Sequence, residues 1–351
     1  MTSKSSYRVV QWATGKVGRV AIRHFVSNPI YELVAVLVTN PKKVGKDAGE
    51  LAGLPATGVI ATDDVEAILA LDVDCVHFSP LAQDIDMVCR LLRSGKNVVS
   101  VIGPWNRSER YRSEIEQIEA ACRDGGSSFH GAGIHPGFAG DLLPLTLARL
   151  MNRIDCIHLT EVIDHLANPS KWIEYMGFGR KPEDVRKKPG RPADVHYLFS
   201  QSMEMLVEAL GKKIDNLTAE VKLSTAVRDI PYGERVIRAG TVAGQEYEWT
   251  AWSEGKPLVV YRCFWKMGNE DVEPKLACGE SGYRIVFDGD PPMEMTLTAT
   301  AERNGGRMFL AIPWTAMVGV NVIPDVCDAA PGLLTHFDLG VVRPRGLVRG
   351  A

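Results

Sequence analysis

From Tyr7 to about Gly133, short runs of β-branched and other apolar residues alternate with longer stretches whose apolar positions recur every three or four residues. The short runs, 8–13, 32–39, 59–61, 75–79, 97–101 and 128–132, read as strands. Between them Val17, Val20, Ala21 and Phe25 share one helical stripe, and residues 86–94 and 109–123 keep the same period. Alternation of this length predicts an α/β domain built on a doubly wound parallel sheet.

The texture changes after Gly133. A helix is expected over 139–152, with Gly140 and Asp141 near its start, then a strand over 156–163 and a helix over 195–210. Residues 180–194, charged and rich in proline, read as a surface loop or lid. From Leu217 to Thr300 the period is two, which predicts an antiparallel sheet with one covered face. Residues 314–334 read as helical again and are expected to return to the first domain. The expected division is a dinucleotide-binding domain over 1–135, a substrate and dimerisation domain of α+β type over 136–315, and a returning segment over 316–351. Residues 1–6 read as a polar tail.

Composition narrows the class. The chain has 351 residues, 45% hydrophobic and 24% charged, long enough for two cores without a metal or disulfide staple. Forty basic against 43 acidic residues give a net charge of −3, which argues against nucleic acid as a partner. The longest uncharged stretch, residues 308–324, contains Pro313 and Asn321 and falls short of a membrane span. No secretory signal pattern follows Met1, and the seven cysteines are scattered without a CxxC pair. A cytoplasmic protein with reduced thiols and no bound metal is expected.

The strongest motif lies where the first strand gives way to the first helix. Ala13-Thr14-Gly15-Lys16-Val17-Gly18 fits GxGxxG with alanine in the first glycine position. At such a turn Gly15 lets the backbone approach a pyrophosphate, Gly18 lets the helix pack on the sheet, and free helix-start amides face the anion. All six residues are candidate cofactor contacts in a Rossmann-type domain. An enzyme strict for NAD would be expected to place an acid near the end of the second strand; Asn40, Lys42 and Lys43 stand there instead. NADP(H) is favoured and NAD(H) stays possible. Position at the carboxyl ends of later strands adds Ser79, Pro80, Ile102 and Gly133.

These residues carry a family likeness. The fingerprint, followed by Gly45-Lys46-Asp47-Ala48-Gly49-Glu50-Leu51-Ala52-Gly53, resembles the amino-terminal domain of dihydrodipicolinate reductase. The second half lacks that family's lysine and Gly-Thr signature. The longer pattern is similar to the 2,4-diaminopentanoate dehydrogenase and native amine dehydrogenase group, through Gly131-Ala-Gly-Ile-His135-Pro-Gly-Phe138 and a tail from Asn321, which joins the cofactor candidates. This resemblance implies NAD(P)-dependent oxidative deamination of an amine, or reductive amination in reverse. The amine dehydrogenases place a glutamate after the fifth strand; here the stretch reads Ser100-Val-Ile-Gly103-Pro104-Trp105.

The candidate acid–base groups are therefore His135, Asp164 and His165, where an imidazole or carboxylate would manage charge on nitrogen or oxygen as hydride moves. Glu161, Trp105, Trp172, Tyr175 and Met176 are candidate substrate contacts, the aromatic and methionine side chains as an apolar wall. Asp141 reads as a helix cap. The expected function is amine–ketone interconversion on a small molecule by a homodimer. Two alternatives stay open: an imine or carbonyl reductase that needs no ammonia, and a non-catalytic NADP-binding sensor.

Overall fold

The computed structural model describes residues 4–166, 171–187, 192–268, 270–299 and 311–348; the side chains of 171, 172, 187 and 192–196 also lie outside the description. The chain divides into two units, Met1–Phe138 with Ile312–Ala351, and Ala139–Ala311.

The first unit contains β1 (Tyr7–Trp12), β2 (Tyr31–Leu37), β3 (Ala61–Thr62), β4 (Cys75–Phe78), β5 (Asn97–Ser100) and β6 (Ser128–Gly131). They pair in parallel in the order β3-β2-β1-β4-β5-β6, and Gly332–Leu334 adds a seventh parallel strand beside β6. Both faces are covered, which is why most positions of the central strands are apolar on successive residues rather than on alternate ones. Val10, Trp12, Val76 and Val98 pack with Leu91, Ile118 and Cys122 of two helices, Ile85–Arg93 and Arg112–Gly125. On the other face Val9, Cys75 and Val99 meet Ala21 and Phe25 of helix Lys16–Ser27, together with Val320, Ile323 and Val326 from near the carboxyl terminus. Residues 314–334, read from sequence as helical throughout, comprise the end of helix Ala311–Asn321, helix Ile323–Asp328 and that last strand. Three residues are too few for periodicity to reveal a strand.

The second unit contains β7 (Arg153–Asp164), β8 (Asn216–Ala226), β9 (Ile230–Tyr232), β10 (Arg235–Ile237), β11 (Val242–Ser253), β12 (Lys256–Lys266), β13 (Val272–Glu273), β14 (Gly282–Asp290) and β15 (Met293–Leu297). Seven of them form one sheet in the order β13-β8-β11-β12-β7-β14-β15, while β9 and β10 pair as a hairpin. The sheet is antiparallel except at its middle, where β7 and β12 run parallel. Period-two patterning reveals which face is covered but not the direction of a neighbour, and a parallel pair needs the long crossover that residues 165–255 supply. Helix Pro192–Ala209 covers one face, setting Phe199 4.8 Å from Trp249 and 6.2 Å from Trp265. The other face carries cross-strand ion pairs, Lys222–Glu246, Arg262–Glu248 and Arg284–Glu294.

Two sequence expectations shorten here. The helix expected over 139–152 is Leu142–Ala148, because the buried Asp141 carboxylate caps it through Leu142 N (2.7 Å) and accepts from Ser202 Oγ (2.6 Å). The expected loop 180–194 holds a short helix, Pro182–Lys187, with Val185 buried; residues 188–191 lie outside the described residues. Among the described residues no helix is long and apolar enough to cross a membrane.

Candidate active site

The turn after β1 has the features a dinucleotide needs. Helices Ala48–Ala52, Val65–Ala70 and Ile85–Arg93 are capped by Asp47, Asp64 and Asp84, each with a further acid in the first turn. Helix Lys16–Ser27 has neither: its N-cap is Gly15, and its first turn carries Lys16 and Arg19. Burial, and then Arg19, push the Lys16 ammonium below its ordinary value. Cations at a helix start oppose the dipole, so this end is poised for an anion. Gly15 is exposed with nothing within 4 Å of where a Cβ would stand, which leaves the approach open to a pyrophosphate. At Gly18 a Cβ would fall on the carbonyl oxygen of Ala13 and lie 2.9 Å from Gln11 Nε2, so only glycine fits. Ala13, Thr14, Gly15, Lys16, Val17 and Gly18 thus form one cradle that suits the group.

The residues expected to choose the cofactor stand at its edge. Lys43 Nζ donates to the carbonyl and hydroxyl of Thr14, at 2.8 and 2.9 Å. Lys42 is exposed, and Asn40 Oδ1 accepts from Lys42 N at 3.1 Å, capping the turn Pro41–Lys43. Ser79 and Pro80 follow β4; the Ser79 hydroxyl accepts from Gln11 Nε2 (2.8 Å) and donates to Trp12 O (3.2 Å). Sequence reading overlooked Gln11 and its neighbour His77. The available signal was a polar residue inside each of two otherwise apolar central strands.

Beyond β5 the structure explains the missing glutamate. Gly103 has φ +77°, and a Cβ there would overlap the indole of Trp105. Trp105, expected to touch substrate, is 2% exposed, and Ile102 is half-buried against the apolar core. After β6, Gly133 and Gly137, both at positive φ, carry the loop that presents His135, half-exposed. Asn321 closes helix Ala311–Asn321 next to Val320, whose carbonyl accepts from Tyr31 Oη at 2.8 Å, at the amino end of β2.

In the second unit Glu161 is the focal group. Across β12, β7 and β14 it stands level with Cys263 and Tyr283, and it is 3% exposed. Trp265 Nε1 donates to its Oε1 at 2.6 Å. Burial, and then the Glu161 carboxylate, push the Cys263 thiol and the Tyr283 hydroxyl well up, so both stay protonated donors beside it. None of the three companions was foreseen, since cross-strand register is invisible in sequence. Asp164, expected as an acid–base group, accepts from Leu166 N and Gly268 N, both at 3.0 Å, and so ties the ends of β7 and β12 together. His165 is buried edge-on to Phe178 at 5.8 Å; burial takes its imidazole down to about 4, despite Glu161 and Asp164. It is therefore neutral at pH 7. Met176 is buried, its carbonyl held by Gln245 Nε2 at 2.7 Å, and Tyr175 is half-buried. The side chain of Trp172 lies outside the described residues.

Strand order and phosphate turn are those of the Rossmann fold, and that is the fold class of the first unit. Residues 9–123 match the family model of the dihydrodipicolinate reductase N-terminus, and residues 138–349 match that of the 2,4-diaminopentanoate dehydrogenase C-terminal domain. An amine dehydrogenase of Streptomyces virginiae is 31% identical, over 94% of this chain and 95% of its own. A 2,4-diaminopentanoate dehydrogenase of Acetoanaerobium sticklandii is 27% identical, over 65% and 62%. The amine dehydrogenase structure from Mycobacterium smegmatis superposes with a TM-score of 0.81 at 19% identity, covering 99% of both chains. The chain belongs to the 2,4-diaminopentanoate dehydrogenase family and is a nicotinamide-dependent oxidoreductase. That membership sets aside the non-catalytic sensor.

Proposed function

We propose that the protein is an NADP-dependent amine dehydrogenase, interconverting a small amine with its ketone or aldehyde. The dinucleotide supplies the hydride acceptor in one direction and the donor in the other. As hydride leaves the carbon bearing the nitrogen, positive charge develops on an iminium, which water converts to carbonyl and ammonium. The single observation that carries the amine reading is Glu161, a buried carboxylate among neutral donors on a sheet face that is largely apolar and aromatic. It is suited to hold a cationic nitrogen, the task that no residue at 103 performs. His135 is the group proposed to move the proton. Lys43 supports NADP: its ammonium, anchored on Thr14, offers a fixed charge to a 2′-phosphate. A homodimer is part of the same reading and is checked by the mass in solution.

The test is NADPH consumption with small ketones and aldehydes, with and without high ammonium. Consumption that requires ammonium is the expected result. Consumption indifferent to ammonium would move the protein to carbonyl reduction, which Gly103 keeps in view. No consumption with any carbonyl compound, and no reduction of NADP or NAD by amines, would overturn the reading. Lys43→Ala is expected to lower the preference for NADPH over NADH by about tenfold or more.

A further inference from the structure

Ala13 occupies a place where the dinucleotide fingerprint has glycine, and it takes the conformation that glycine would allow, φ +71°. An L residue is disfavoured there, so something must hold it. We propose that Gln11 and His77 are positioning residues of the dinucleotide turn, holding Ala13 in the left-handed conformation from inside the sheet. This rests on the dinucleotide reading of the turn given above.

Gln11 on β1 and His77 on β4 are direct partners in the parallel register, and both are fully buried. Gln11 Nε2 lies 2.8 Å from Ala13 O and 3.0 Å from Trp12 O. Both oxygens can only accept, so this end is the amide NH2 and Oε1 is the acceptor. Oε1 lies 2.8 Å from His77 Nδ1, which must therefore carry the proton. The two amide hydrogens of Gln11 are divided among Ala13 O, Trp12 O and Ser79 Oγ, the last at 2.8 Å. Two successive carbonyls of the turn are thus tied, through one side chain, to the neighbouring strand.

His77 is held in this role by its surroundings. Burial takes its imidazole down to about 3, so the ring is neutral. Its Nε2 has no hydrogen-bond partner among the described residues and faces Gly319, where a Cβ would come within 2.8 Å. Helix Ala311–Asn321 passes over the ring at that glycine, and Phe25 stands edge-on to it at 6.0 Å.

The consequence reaches the anion cradle. Ala13 O is also the atom on which Gly18 packs, so the carbonyl that Gln11 holds fixes where helix Lys16–Ser27 begins and how its first amides point. Releasing Ala13 would disorganise the cradle while leaving the sheet in place.

The test is a double-mutant cycle on dinucleotide affinity, with melting temperature and kcat measured alongside. Gln11→Met is expected to weaken NADPH binding about tenfold or more, chiefly through KM for the dinucleotide with kcat nearly unchanged. Ala13→Gly is the second single variant, and in Gln11→Met it should recover most of the lost affinity, so that the two changes together cost less than the sum of their separate effects although the buried amide is still missing. If Gln11→Met does not fold, His77→Leu with and without Ala13→Gly reads out the same coupling. Additive effects, or Gln11→Met binding like the parent, would overturn the proposal while leaving dinucleotide binding intact. A parent protein that binds neither NADPH nor NADH would overturn the reading of the turn and the proposal with it.

Discussion

The indole of Trp105 occupies the space that a side chain on Gly103 would need. The two positions are therefore one choice: an acid at 103 or a tryptophan ring packed over a bare backbone. Gly103→Glu, which would place at this position the acid that the family resemblance led one to expect, is expected to destabilise the protein rather than to raise its activity. A left-handed backbone and an overlap with a 2%-exposed ring together cost about 2 kcal/mol or more. Thermal melting with a steady-state assay checks this; an active Gly103→Glu protein of unchanged melting temperature would refute it.

The two glycines of the phosphate turn fail in different ways. A Cβ at Gly15 meets nothing, so Gly15→Ala should leave the melting temperature of the free protein unchanged and weaken the dinucleotide by about tenfold or more. A Cβ at Gly18 meets the Ala13 carbonyl, so Gly18→Ala should lower the melting temperature before any ligand is added. Scanning calorimetry with and without NADPH separates the two.

Much of the first unit was legible because a sheet buried on both faces writes its strands as apolar runs, and because Gly15 and Gly18 are needed by backbone geometry alone. β1, β2 and β4 follow that rule most closely, each with a polar residue or two among the apolar ones. The strand Gly332–Leu334 was not legible, being too short to show a period. Glu161 could be picked out as an acid on a strand, but Trp265, Cys263 and Tyr283 reach it only through pairing between segments about one hundred residues apart in sequence. Gln11 and His77 were visible as polar residues in apolar strands, and only the geometry shows what they hold. Asp164 and His165 looked alike in sequence; the first ties backbone together, and the second is neutral by burial.

Acid should destabilise the fold through its buried histidines. His165 and His77 titrate near 4 and 3 when folded and near 6.5 when unfolded, so the unfolded chain binds more protons between those values. The stability they contribute is complete above about pH 6.5 and is lost as pH falls towards 4, by up to about 1.4 kcal/mol per pH unit for each ring. His165→Asn should flatten the decline in melting temperature between pH 7 and pH 5. An unchanged slope would show that His165 takes up its proton equally in the folded and the unfolded protein.

Glu161 and Asp164 lie three residues apart and should separate cleanly. Glu161→Gln is expected to lower kcat for amine oxidation by about a hundredfold, with NADP affinity unchanged, because a developing positive charge loses its counter-charge. Asp164→Ala leaves the amides of Leu166 and Gly268 unpaired and should cost about 1–3 kcal/mol of stability. The paired measurement is kcat against melting temperature for each variant; the reverse pattern would exchange their roles.

The first unit is built from both ends of the chain. Val9, Ala21 and Val99 share their core with Val320, Ile323, Val326 and Leu334. On the ribosome, residues 1–138 therefore emerge with one sheet face covered only in part, by helix Lys16–Ser27, and wait while Ala139–Ala311 is made. At synthesis rates of about 5–20 residues per second, that delay is roughly ten to thirty-five seconds. The inserted unit can fold within that interval, and the dinucleotide turn, whose His77 is sealed by Gly319, is completed last.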